Sequence, residues 1–187
     1  MSADEQARRE EFERRQKIES AAYHDMITLV GRAAQASSLV ELHLRQLMTA
    51  LLDSKYAELV AAGLSASDLI ETCTVLLKVN KEINDDQRTE GLALLSGLRD
   101  LLNARNHLVH GIIATMRGDT DSGETAPEPV IQTMALVSKR RKPDTLLTIT
   151  KDEAEKTIED LRERGTGILQ WLGATLPAQL RRNQVTS

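Results

Sequence analysis

Apolar residues along most of the chain recur at the three-to-four spacing of amphipathic helices. Two stretches depart from it. The opening stretch to residue 20, with EQARREEFERRQKIES, alternates charges and holds only Phe12 and Ile18 as apolar anchors. It predicts a charged N-terminal helical extension, solvated or lying on a partner chain. From Ala21 to Leu52 an apolar stripe takes over through Met26, Ile27, Val30, Leu39, Leu42, Leu47 and Leu51, with Gly31 as a kink point. After a turn near Ala62-Gly63, Ser65 and Asp68 form the S-x-x-D start of a helix reaching about Val79. The polar segment VNKEINDDQ then leads into a long helix from about Asp86 to Ile113.

The second departure follows RGDTDSGETAPEP, residues 117–129, the clearest loop in the chain. PVIQTMALVSK and DTLLTIT are short, β-branched-rich runs separated by RRKP, which predicts a hairpin at about 129–150. Thr150 caps a last helix from about Lys151 to Leu176, and 177–187 form a polar tail. The whole pattern predicts a mainly α fold. Four or five helices form one bundle over 21–176, with a small β-hairpin inserted before the C-terminal helix.

Composition narrows the function classes. The 187 residues carry a formal net charge of −4, and aromatics make up only 2%. There is no general attraction to polyanions, and no supply of rings for a base-stacking platform. Nucleic-acid contact would have to be local. The basic tip Lys139-Arg140-Arg141-Lys142 is the best such candidate, beside its plainer reading as a solvated turn. The lone Cys73 excludes an internal disulfide and a multi-cysteine zinc cage, and its setting ETCTVLLKV points to a buried core thiol. No apolar run approaches membrane-spanning length and the N-terminus is charged, so a cytoplasmic protein without membrane contact is expected. No metal site or cofactor motif stands out.

The stretch ARNHLVHG, Ala104–Gly111, is the one place where chemistry interrupts the core pattern. On a helical wheel with Leu98 at zero, Leu101, Leu102, Val109 and Ile112 define the core-facing stripe, and Arg105 falls within it at about 340°. Asn106 and His110 lie on its shoulder at about 80° and 120°, and His107 at about 180°, opposite. A guanidinium buried there without a partner would cost several kcal/mol or more. Either the stripe opens into a cleft or subunit interface, or Arg105 has a buried partner such as Glu41.

LRDLLNARNHLVHG resembles the R-x4–6-H signature of the HEPN family, in which the position after the arginine is often Asn, Asp or His. The resemblance implies a helical bundle. It also implies a homodimer whose two motifs face one shared groove, and in many members a metal-independent endoribonuclease, often a toxin or antiviral effector. An antitoxin or nucleotidyltransferase partner belongs to the same expectation. Other members are inactive or only bind nucleotides.

The residue types suit that chemistry on their own terms. RNA cleavage needs a base for the 2′-hydroxyl proton, which His110 can supply. It needs a donor array for the phosphorane charge, which the Arg105 guanidinium can supply. Asn106, one turn before His110, can orient the imidazole or meet the phosphate. An acid for the leaving 5′-oxygen is still wanted, and a second copy's His110 would provide it. Asp100 is a possible supporting residue, as is Glu41; both also fit surface or structural pairing. His24 and His43 read as surface or core-edge residues, and Trp171 as packing. Two rivals stay open: an inactive helical dimerisation or nucleotide-binding module, and a regulator that makes its contacts through the charged N-terminal helix.

Overall fold

Helix-forming segments set the element order: α1 (Ala3–Leu52), α2 (Ala57–Ala62), α3 (Ala66–Val79), α4 (Asp85–Leu95), α5 (Leu98–His110), β1 (Ile112–Met116), β2 (Val130–Val137), β3 (Thr145–Ile149) and α6 (Lys151–Thr175). This computed structural model describes the backbone of residues 3–116, 130–137 and 145–176, and the side chains of 4–111 and 148–176. The fold is mainly α, a helical bundle. Two compact units divide the chain, Met1–Ala33 with Asn106–Lys156 and Ala34–Arg105 with Thr157–Ser187.

In the first unit, α1 opens with self-paired charges. Arg9 meets Glu13 at 3.0 Å, and Glu11 accepts from Arg14 at 2.9 Å and Arg15 at 2.6 Å. Arg14, then Arg15, hold the Glu11 carboxyl down near 2. The charged stretch is helical from Ala3 onward, as expected. It forms the first turns of one 50-residue helix, which continues through Gly31. A single mid-helix glycine costs only about 1 kcal/mol against alanine, which strong helix formers on both sides absorb. Met26, Leu29 and Ala33 are buried on α1, and Ala154 on α6. Lys151 Nζ lies 3.0 Å from Asp25 Oδ2, tying the start of α6 to α1. Thr150 caps α6: Glu153 N–H donates to Thr150 Oγ1 at 3.3 Å, and Thr150 N–H donates to Glu153 Oε2 at 2.8 Å.

The helix expected to reach Ile113 stops at His110. Gly111 weakens the helix, and the β-branched pair Ile112-Ile113 prefers extended backbone. The strands run antiparallel in the order β1-β2-β3. Ile112 stands opposite Met134, and Met134 opposite Thr148.

In the second unit, Ser65 accepts from Asp68 N–H at 3.3 Å as the N-cap of α3. Asn84 and Gln87 complete a capping box on α4. The single helix expected from Asp86 onward is broken at Ser96-Gly97. Gly97 has φ of +73°, left-handed backbone that other residues rarely adopt. That turn starts α5 as a separate helix. Arg88 stitches the α3–α4 connection, donating to the carbonyls of Leu77, Asn80 and Ile83 at 2.9–3.0 Å and pairing with Asp85. Val40, Leu44, Leu69, Leu77, Leu98, Leu161 and Leu172 are wholly buried here. Aliphatic packing holds the core, as the scarcity of aromatics requires.

Two close approaches fix α6 in this unit. A Cβ on Gly91 would lie 3.1 Å from the Trp171 ring, so α4 contacts the indole edge directly. Trp171 Nε1 donates to Gln87 O at 2.9 Å, and the side chain is packing, as expected. A Cβ on Gly165 would lie 3.4 Å from Val40 Cγ2, which brings α6 against α1.

Candidate functional site

Helix α5 buries Leu98, Leu102 and Leu108. On the wheel these three centre near the angle of Arg105, about 340°. Leu101 and Val109, at about 300° and 20°, fall within the same stripe and are half-buried. Leu108 belongs to the core although the sequence pattern did not single it out. Arg105 is half-buried, with Nε shielded from solvent.

Asn106 and His110 are exposed. His110 is the last residue of α5, so its imidazole meets solvent at a helix end. From Arg105 to His110 the helix advances about 7.5 Å and turns about 140°. His107, expected on the face opposite the stripe, is half-buried. It stands one turn before His110, within the i,i+3 spacing that makes helix side chains neighbours.

Glu41 is half-buried on α1 and pairs with Arg45 at 3.7 Å. Asp100 is exposed in the first turn of α5. It lines an open groove of about 720 Å3 together with Leu94, Leu101, Asp160 and Glu163. Arg164 borders the same groove and donates to the carbonyls of Ala93 and Leu94, at 2.7 and 3.4 Å. Lys139, Arg140, Arg141 and Lys142 fall outside the described residues.

Against known proteins, the chain matches no family model, no curated protein and no solved structure.

His43 proved more constrained than a core-edge residue. Its Nδ1 lies 2.8 Å from Gly165 O, across α1 and α6. A carbonyl only accepts, so Nδ1 carries the proton. The signal in the sequence was Gly165-Thr166-Gly167 inside a helix, where glycines permit close approach of a neighbour. His24 is exposed.

Cys73 is buried and its Sγ donates to Leu44 O at 3.6 Å. Burial pushes its thiol up to about 12. Reactivity belongs to the thiolate, so Cys73 is inert in the native chain. Thiol reagents at pH 8 are expected to label it only at the rate of unfolding, and labelling within mixing time would contradict this placement. A thiol whose native value is raised favours the fold below its unfolded value, near 8.5. That contribution is lost as pH rises toward 12.

Among the described residues, no group of three or more His, Cys, Asp or Glu converges as metal ligands. No described helix is long and apolar enough to cross a membrane.

Proposed function

We propose that this chain is a metal-independent endoribonuclease of HEPN type, acting as a homodimer. One observation carries the proposal: Arg105 is half-buried on the apolar stripe of α5, while His110 is exposed at the end of the same helix. A solubilising arginine would sit on the polar face. A purely structural histidine would be covered.

In the proposed reaction His110 takes the proton from the RNA 2′-hydroxyl. The 2′-oxygen attacks the adjacent phosphorus, and the guanidinium of Arg105 meets the charge that develops on the phosphoryl oxygens. Asn106, exposed one turn before His110, orients the imidazole or the phosphate. The bond to the 5′-oxygen breaks, leaving a 2′,3′-cyclic phosphate and a 5′-hydroxyl. No step requires a metal. A cytoplasmic location and an antitoxin or nucleotidyltransferase partner complete the proposal.

The test is an RNA cleavage assay in EDTA with the wild type, Arg105→Ala and His110→Ala. Cutting by the wild type alone, with all three folded, supports the proposal. Undiminished cutting by either variant removes the assignment. If the folded wild type leaves RNA intact and both substitutions alter dimer stability or nucleotide binding, the chain is the interaction module instead.

A further inference from the structure

The first half of α1 carries two apolar faces. On a wheel with Phe12 at zero, Met26, Leu29 and Ala33 fall at about 320°, 260° and 300°. That face is buried. A second stripe holds Phe12, Tyr23, Ile27 and Val30 at about 0°, 20°, 60° and 0°. Phe12 is 65% exposed, Tyr23 49% and Ile27 45%, and Val30 is half-buried. The step from Phe12 to Tyr23 is close to three helical turns, so a straight helix keeps the two rings in line. The chain has one Phe, one Trp and two Tyr, and of these only Trp171 is buried. Two of the open rings share this stripe. Exposed aromatics grouped in this way mark contact surfaces.

The charges beside the stripe say what covers it. Between Ala3 and Ser20 six acids accompany five bases. Arg9 pairs with Glu13, and Glu11 with Arg14 and Arg15, within the helix. A surface so nearly neutral has little pull on a phosphate backbone or an anionic membrane, both of which call for a basic excess. A second copy brings the same balance and no net repulsion. Orientation follows from Glu19, which falls at about 340° on the edge of the stripe. Two parallel copies would set Glu19 against Glu19. In an antiparallel pair whose two-fold axis passes between Glu19 and Tyr23, Glu19 comes level with Tyr23 of the partner subunit, a hydroxyl that can donate to it. The same register sets Phe12 level with Val30 of the partner subunit. Contact from Phe12 to Val30 extends about 27 Å along the helix. A seam of that length belongs with the smaller specific interfaces, under about 1,200 Å² in total, which suits a reversible dimer.

We infer that two copies of this chain pair antiparallel through the Phe12, Tyr23, Ile27 and Val30 stripe of α1. The inference rests on the homodimer of the reading above and not on its cleavage chemistry.

Sedimentation of the full-length chain over a micromolar concentration series reads the pairing. The wild type passes from monomer to dimer. Phe12→Glu and Tyr23→Glu keep the fold, because both side chains are exposed, and each weakens the dimer about tenfold or more. Far-UV circular dichroism checks the fold, and either variant alone suffices for the test. Leu59→Glu, off the stripe on α2 and 77% exposed, leaves the dimer unchanged. Cross-linking reads the register. Cys73 is buried, so introduced cysteines are the reactive thiols. Phe12→Cys chains mixed with Val30→Cys chains are joined by a short bis-maleimide into a mixed dimer. Phe12→Cys alone is not, because its two copies stand about 27 Å apart. A wild type that stays monomeric throughout overturns the pairing, as does a dimer that the folded Glu variants leave intact. Self-linking of Phe12→Cys alone overturns the antiparallel register. RNA cutting is assayed on the same preparations. A monomer that cuts RNA keeps the cleavage chemistry and removes this contact. A dimer joined through α1 that cuts no RNA keeps this contact and removes the endoribonuclease reading.

Discussion

Under the proposed reaction, His110→Ala is expected to lower the rate of RNA cleavage by about 10²–10⁴-fold, the usual contribution of a positioned general base. The fold survives, because the imidazole is exposed at the end of α5 and takes no part in the core. Far-UV circular dichroism and the thermal midpoint are expected to match the wild type, so the loss is chemical. Arg105→Ala loses about 10²–10³-fold, as for removal of one preorganised donor at a developing oxyanion. It also loses some stability, because Arg105 is half-buried on the apolar stripe of α5. Arg105→Lys separates the two effects. It keeps a stem and a charge but lacks the planar fork, so stability returns more fully than rate. Full activity in Arg105→Lys would show that bidentate contact is not what the position supplies.

The largest expected effect on stability is at Trp171. The indole is buried, donates to Gln87 O at 2.9 Å, and has Gly91 against its edge. Trp171→Ala opens a cavity between α4 and α6 and removes the indole N–H that donates to Gln87 O. Removal of a buried large aromatic costs about 3–5 kcal/mol. For a chain of this size the melting midpoint falls by about 2–4 °C per kcal/mol. Trp171→Phe fills most of the cavity yet removes the indole donor to Gln87 O, a loss of about 0.5–1.5 kcal/mol. Calorimetry or circular dichroism melts of the three proteins check the ranking. A midpoint unchanged in Trp171→Ala would mean that the α4–α6 contact contributes nothing to folding.

Much of the helical layout was legible because its signals are local. Ser65 with Asp68, and Thr150 before the last helix, are caps written in a few adjacent residues. The boundaries that were missed depend on backbone choices that periodicity does not encode. Gly97 sits inside an apolar pattern that continues across it, so the pattern predicts one helix where α4 and α5 are distinct. Ile112 and Ile113 fit the same helical stripe, yet they join β1, because pairing with β2 outweighs the helical alternative.

At the candidate site, the position of Arg105 on the apolar stripe was legible from spacing alone, and its half-burial agrees. The exposure of His110 and the partial cover over His107 were not. A wheel ranks the faces of one helix and carries no information about what else packs on them. His43 and Gly165 make the same point across two helices. The close approach was implied by glycines inside a helix, but the partner histidine lies 122 residues away in the chain.

The central claim is that this chain cuts RNA through the RNA's own 2′-hydroxyl. The most direct measurement incubates the purified protein in EDTA with two oligonucleotides, one all ribose and one with a single 2′-deoxy substitution at the site of cutting. Product ends are then read by mass spectrometry. The account predicts a 2′,3′-cyclic phosphate and a 5′-hydroxyl from the ribose strand, and no cut at the deoxy position. A 5′-phosphate product, or equal cutting of both strands, would contradict it.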